Sequence, residues 1–364
     1  MISTRRIFLS STIAATVFMS CRKDKDPIIV VPPSSGSQVE FNGLTGNEPS
    51  GSSAGNAVYL DLSTNQVTAI ARASWDLGFY GGPEFRVVLN NTTSAGAKLL
   101  TQNDLLAVGA ADTVGLTLAI DQNNPGPADF AYFDKLDGSL TGTVIPEISA
   151  NDANNKVIII NRGTGGSTAP RPWMKIRVLR NASGGYTLQY ANITATTFHT
   201  IQVARDDNFH FKLVSFDNGV ISGGQPEKSR WDLVWSYSVY QTFFPIGGVP
   251  TAMPYNFSDL ISVNHLSNVQ VKEKVYADAA TAAAAYTAFN RDSVSLATNA
   301  VEQGRWTIGS GWRSTQPATG ARLDKFYIIR DAAGNYYKFK CLSMGVGADG
   351  GTRGKPRFQY DLIP

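Results

Sequence analysis

An internal repeat restricts this chain more than any other feature. Ser74-Trp75-Asp76-Leu77-Gly78-Phe79-Tyr80 is matched 156 positions later by Arg230-Trp231-Asp232-Leu233-Val234-Trp235-Ser236. Each segment follows an apolar run that ends in turn residues, 59–65 in the first case and 213–219 in the second. Asp104-Leu105-Leu106-Ala107-Val108 resembles Asp259-Leu260-Ile261-Ser262-Val263, and residues 176–186 resemble 327–336. The order is kept and the offsets agree to within about six residues, so duplication of one unit is the economical reading. The expected units are 57–205 and 206–364, with Asp206-Asp207 as a solvated link between them.

The local pattern within each unit is that of strands. Residues 58–62, 85–89, 157–160, 173–179 and 186–190 combine β-branched and aromatic residues with period-two alternation. Asn181-Ala182-Ser183-Gly184-Gly185 separates two of these runs as a hairpin turn. One alanine-rich stretch, 278–290, predicts a helix lying against a sheet, and 129–136 is a weaker second. The fold class read from this is all-β with minor helix, as two tandem antiparallel β domains. In each Trp-Asp pair the alternation predicts an indole anchored in the core and a carboxylate that accepts hydrogen bonds from loop backbone.

The N-terminus carries an address. Residues 1–20 have basic Arg5 and Arg6, an apolar stretch too short to span a bilayer, and a small residue before Cys21. Val17-Phe18-Met19-Ser20-Cys21 resembles a lipobox, with Phe18 where leucine is usual, and predicts lipidation of Cys21. Several acyl chains on one residue give stable anchoring. Thr4-Arg5-Arg6-Ile7-Phe8-Leu9 also looks like a twin-arginine signal, so the export route stays open. Arg22-Lys23-Asp24-Lys25-Asp26 is similar to the tract that sends Bacteroidetes lipoproteins to the cell surface. The Pro-, Ser- and Gly-rich stretch up to residue 56 reads as a flexible linker, so 21–56 is expected to be a lipidated tether. These features predict an outer-membrane lipoprotein facing the exterior.

Composition narrows the partners. Without Arg5 and Arg6 the formal charge falls from +3 to about +1, which leaves no basic footprint for nucleic acid. With Cys21 acylated, Cys341 has no intrachain partner, and its apolar surroundings predict a buried small hydrophobe. There is no phosphate-binding loop or His-Glu-Xaa-Xaa-His motif, and an enzyme is not expected. Gly163-Thr164-Gly165-Gly166-Ser167 precedes no helix pattern and reads as a turn rather than an anion nest.

The repeat unit resembles the HmuY family of haem-binding surface lipoproteins. The resemblance is clearest in the second unit. It opens with Asp217-Asn218-Gly219-Val220 and Arg230-Trp231-Asp232-Leu233, and it closes with Lys325-Phe326-Tyr327-Ile328-Ile329-Arg330-Asp331 and Arg357-Phe358-Gln359-Tyr360. It implies an all-β fold, haem as cofactor, capture of haem from haemoproteins for iron acquisition, and delivery to a TonB-dependent outer-membrane receptor. The family's two axial histidines have no counterpart around Tyr286 or Trp312-Arg313. Methionine serves some relatives, so Met253, His265 and Met344 are the candidate haem ligands, with no other metal site expected. His199 and His210 alternate with aromatics and are expected to point outward. The alternative reading keeps the fold without haem, as a surface module engaging a protein or glycan through exposed aromatics such as Trp306 and Trp312.

Overall fold

The computed structural model describes residues 32–364; the expected signal peptide, Cys21 and the charged tract lie outside the described residues. In chain order, β1 (Gly36–Glu40) precedes a hairpin of β2 (Asn56–Asp61) and β3 (Gln66–Ala71). Next come β4 (Leu77–Tyr80), β5 (Val87–Leu89), β6 (Gly96–Leu99) and β7 (Ile158–Asn161). They lead to β8 (Met174–Arg180), β9 (Tyr186–Asn192) and β10 (His199–Val203). A second small hairpin, β11 (Phe211–Ser215) and β12 (Gly219–Val220), leads into two long strands, β13 (Leu233–Ile246) and β14 (Val249–Val263). After β15 (Gln270–Val275) come α1 (Ala279–Ala288), α2 (Arg291–Val294) and the short pair β16 (Arg313–Ser314) and β17 (Gly320–Ala321). The chain closes with β18 (Lys325–Arg330), β19 (Tyr336–Ser343) and β20 (Arg357–Ile363).

The fold is all-β with minor helix. Four antiparallel sheets do the work, in the orders β1-β20-β19-β18-β15, β10-β9-β8-β7-β6, β12-β11-β4-β5 and β14-β13-β2-β3. Alternation makes one face of each apolar, and the faces pack in pairs. Leu77, Phe79, Ile158, Ile176, Tyr186 and Val214 share one core between the second and third sheets. Val58, Leu60, Trp235, Ile261, Tyr327 and Phe358 share another between the first and fourth. The alanine-rich segment is helical as expected: the Asp278 carboxylate caps α1 through the Thr281 N–H at 2.7 Å, and Tyr286 packs edge-on against Phe326. The second expected helix is only a 3-10 segment, Pro127–Tyr132.

The pairing crosses the expected boundary. Residues 33–364 form one compact unit rather than separate bodies at 57–205 and 206–364. β2, from the first half, pairs with β13, the Trp-Asp strand of the second half. β11, from the second half, pairs with β4, the Trp-Asp strand of the first half. Each opening hairpin therefore completes the other half's sandwich.

The two halves repeat the same hydrogen bonds at this exchange. The Asp76 carboxylate accepts the Phe216 N–H at 2.9 Å, and Asp232 accepts the Leu62 N–H at 2.8 Å. The Asn90 amide donates to Arg72 and Trp75 carbonyls, and Asn264 donates to those of Lys228 and Trp231. Ser94 and Asn268, four positions on in each case, both take a left-handed φ, 59° and 61°. Both Trp-Asp carboxylates thus accept backbone N–H groups as expected.

Three other expectations are corrected. Residues 36–56 are not a tether: β1 pairs with β20 along its whole length, and Phe41 is fully buried against Phe358. Average composition hides the alternation of Val39 and Phe41, which a vacant sheet edge can use. Asp104–Val108 and Asp259–Val263 are not equivalent, since the first includes a 3-10 turn, Leu105–Ala107, and the second ends β14. The true counterpart of Asn264 is Asn90, and the shifted offset reflects the much longer β13–β14 hairpin. Finally, Trp75 and Trp231 do not anchor the sandwich cores. Leu77 and Phe79, or Leu233 and Trp235, fill those positions, and both Trp-Asp indoles, which precede the regular strands beginning at Leu77 and Leu233, line a cleft.

Candidate functional site

The cleft lies between the outward faces of the third and fourth sheets. Because Leu233 and Trp235 point into the core, Val234 and Ser236 on β13 point the other way, and Tyr59 on β2 does the same between Val58 and Leu60. Phe211 on β11 and Val88 on β5 contribute from the facing sheet. Trp75, Trp231, Trp306, His210, His265 and Arg305 complete the walls, and residues 134–143 form one side. The free space in the cleft is about 150 Å³.

Its two imidazoles differ. His210 Nε2 sits 2.9 Å from both Asn264 Oδ1 and Ser267 Oγ, and burial pushes its pKa down to about 4, so the ring is neutral and its Nε2 is committed. His265 Nδ1 lies 3.3 Å from the Val263 carbonyl; its Nε2 is buried against the Gly138 backbone and makes no regular hydrogen bond among the described residues. Burial, reinforced by Arg305, lowers the His265 pKa as well. This leaves an imidazole lone pair or N–H available at a buried position. Gly138, at φ 82°, packs against that ring: a Cβ there would lie 2.7 Å from Nε2.

The surrounding charges are sparse. The Arg305 guanidinium lies 4.8 Å over the Trp306 ring, a cation–π contact. Asp134 accepts the Leu89 N–H at 2.7 Å and the Val144 N–H at 2.8 Å, and burial pushes its pKa up to about 6. Two further polar atoms on the lining lack partners among the described residues, Trp231 Nε1 and Gln225 Oε1. Buried polar atoms are rarely left so, and three around one cleft mark it as a place where a ligand or water completes the bonding.

Of the candidate ligands, only His265 lines this cleft. Met253, in β14, is 1 % exposed and pairs across the ladder with Thr242; Met344 is 1 % exposed and sits in the core between the first and fourth sheets. The structure does not bring the three together. His199 is exposed as expected, beside Tyr190. His210 is not: Phe211 faces the cleft, and the turn before β11 lets His210 fold inward onto Asn264. Its alternation with Phe209 and Phe211 concealed this, because it precedes the regular strand. Trp312 is fully buried, with its indole N–H donating to the Asp259 carbonyl, and so offers no exposed surface. Trp306 is half-buried and donates to the Leu136 carbonyl. Cys341 is buried and its thiol pKa is raised by burial, as a packing residue requires. The Gly163–Ser167 loop presents the Gly165 and Gly166 carbonyls to the buried Arg72 guanidinium.

No curated protein and no solved structure matches the chain. The sequence profile of the family described as "HmuY protein" matches residues 53–360, most of its length. That span includes both Trp-Asp strands, both exchanged hairpins and the whole cleft. The chain belongs to the HmuY family, a family of haem-binding surface proteins.

Proposed function

We propose that this protein captures haem or a related porphyrin at the cell surface, with His265 Nε2 as the axial ligand. The observation that carries this is the buried His265 Nε2, which makes no regular hydrogen bond, in an aromatic cleft. An imidazole within apolar walls is one of the environments that holds haem iron. Trp75, Trp231 and Trp306 supply the walls, and Arg305 is placed to meet a propionate. Space of about 150 Å³ holds one ring rather than a macrocycle, so entry requires residues 134–143 to swing away from His265. Lipidation at Cys21, display on the outer membrane and delivery to a TonB-dependent receptor complete the reading. They rest on the leader sequence and the family; palmitate labelling absent from Cys21→Ser checks the anchor.

A second reading is favoured by the small volume: the same cleft takes a non-haem ligand and the family fold serves another cargo. Absorbance titration of the chain lacking residues 1–21 with haemin, oxidised and reduced, separates the two. The expected result is a saturable Soret band that His265→Ala abolishes and that Met253→Ala and Met344→Ala leave in place. No saturable band would sink haem capture, and a band unchanged by His265→Ala would reject the ligand.

A further inference from the structure

The β13–β14 hairpin is the one place where the two halves differ most. From the Trp-Asp carboxylate to the capping asparagine the first half uses 14 positions, Asp76 to Asn90, and the second 32, Asp232 to Asn264. The additional residues form a two-stranded arm. β2 covers β13 only from Leu233 to Trp235, and beyond a bulge near Ser236 and Ser238 the arm runs as paired strands to Ile246 and Val249. Gly247 and Gly248, both at positive φ, 57° and 84°, close it with the turn that strand twist favours.

Its chemistry is unlike the rest of the surface. Between Asp232 and Asp259 there is no charged residue. Phe243, Ile246 and Val249 are 61, 51 and 64 % exposed, with Phe244 close by at 38 %. The register places Phe244, Ile246 and Val249, with Thr251 as the one polar side chain, on one face of the arm and Phe243, Pro245, Pro250 and Ala252 on the other. A hairpin made to cover another protein's surface would be apolar on one face and polar on the other. An arm apolar on both faces and free of charge suits a medium that surrounds it. Behind the tip, Tyr240 and Tyr255 face each other across the ladder, the residue type that settles at a membrane–water boundary. Tyr240 is held edge-on between Phe257 and Trp306, at 5.2 and 5.3 Å, so the arm is anchored at its root.

We propose that residues 243–252 form a wedge that enters the interfacial region of a lipid bilayer. Four residues of strand reach roughly 13 Å, enough to pass the 5–10 Å depth at which interfacial elements lie. Insertion gives the protein a second hold on a membrane, independent of any acyl group and of the haem reading. With no lysine or arginine on the arm, binding is indifferent to headgroup charge and to salt.

Flotation of the unacylated chain lacking residues 1–21 with phosphatidylcholine vesicles tests this. The expected result is co-flotation that is equal in low and high salt and falls at least about tenfold in a Phe243→Ser, Ile246→Ser, Val249→Ser triple variant, as loss of three buried apolar side chains requires. These side chains are exposed, so the variant's thermal transition serves as the check on folding. A fluorophore on Val249→Cys should shift to the blue on adding vesicles. Absence of flotation, or flotation equal in the triple variant, overturns the proposal. So does concentration-dependent self-association removed by the triple variant without vesicle binding, which assigns the arm to a second copy of this chain.

Discussion

Asp76 and Asp232 occupy the same place in the two halves and make the same backbone bond, yet their electrostatic surroundings are opposite. Asp76 is paired with Arg162, through contacts of 2.8 and 2.9 Å, and with Arg171 at 3.1 Å. Asp232 is 5 % exposed, has no ion pair among the described residues, and lies near the carboxylates of Asp331 and Asp61. Burial first, then these carboxylates, push its pKa up to about 7, against the Leu62 N–H that lowers it. In the unfolded chain an aspartate titrates near ~3.9. A carboxyl whose folded pKa is raised favours the fold while both states hold the proton, and that contribution is lost as pH rises through the folded value. The window is therefore pH 4 to 7, with a slope of at most about 1.4 kcal/mol per pH unit. Asp232→Asn keeps an oxygen for the Leu62 N–H and cannot ionise. Its stability relative to the native chain should improve by about 2–3 kcal/mol between pH 5 and pH 8. Urea unfolding at both values measures this, and other titrating groups, such as His210 and Asp134, cancel in the comparison. A stability difference that is the same at pH 5 and pH 8 refutes the reasoning, because it would mean that Asp232 is charged in the fold throughout.

Asp76→Asn should behave differently. It leaves the Arg162 guanidinium, 3 % exposed, with Asp217 alone, and the expected loss is about 3–5 kcal/mol at pH 5 and pH 8 alike, read by the same denaturation. Arg72 is 2 % exposed and donates to four carbonyls, those of Ala54, Thr92, Gly165 and Gly166. Burial lowers its pKa to about 10, still well above neutrality, so it remains a cation. Arg72→Met orphans all four acceptors and should cost about 3–5 kcal/mol, with Arg72→Lys recovering part, by thermal and urea unfolding.

Much of this protein is legible one residue after another. Period-two alternation marks the strands, the Asn181–Gly185 turn and the Asp278 cap fall where local chemistry puts them, and the repeated Trp-Asp segments announce two related halves. These are short-range properties, fixed by the neighbours of each residue in the chain. The proposed address at Cys21 also rests on the sequence alone.

What the tertiary structure decided is which strand each half lends to the other. The hairpins beginning at Asn56 and Phe211 have the same pattern, and nothing local distinguishes pairing with one's own Trp-Asp strand from pairing with the other's. That choice rests on contacts more than 130 residues apart, and it creates the cleft by setting two sheet faces against each other. It explains why Trp75 and Trp231 line a site instead of a core, and why His210 is committed while His265 is not. Met253, His265 and Met344 are ranked by burial and direction, which alternation alone cannot supply when a bulge, a turn or a strand end intervenes. The proposed wedge is decided in the same way: only the fold shows that Phe243 and Ile246 lie on a length of strand that β2 does not cover.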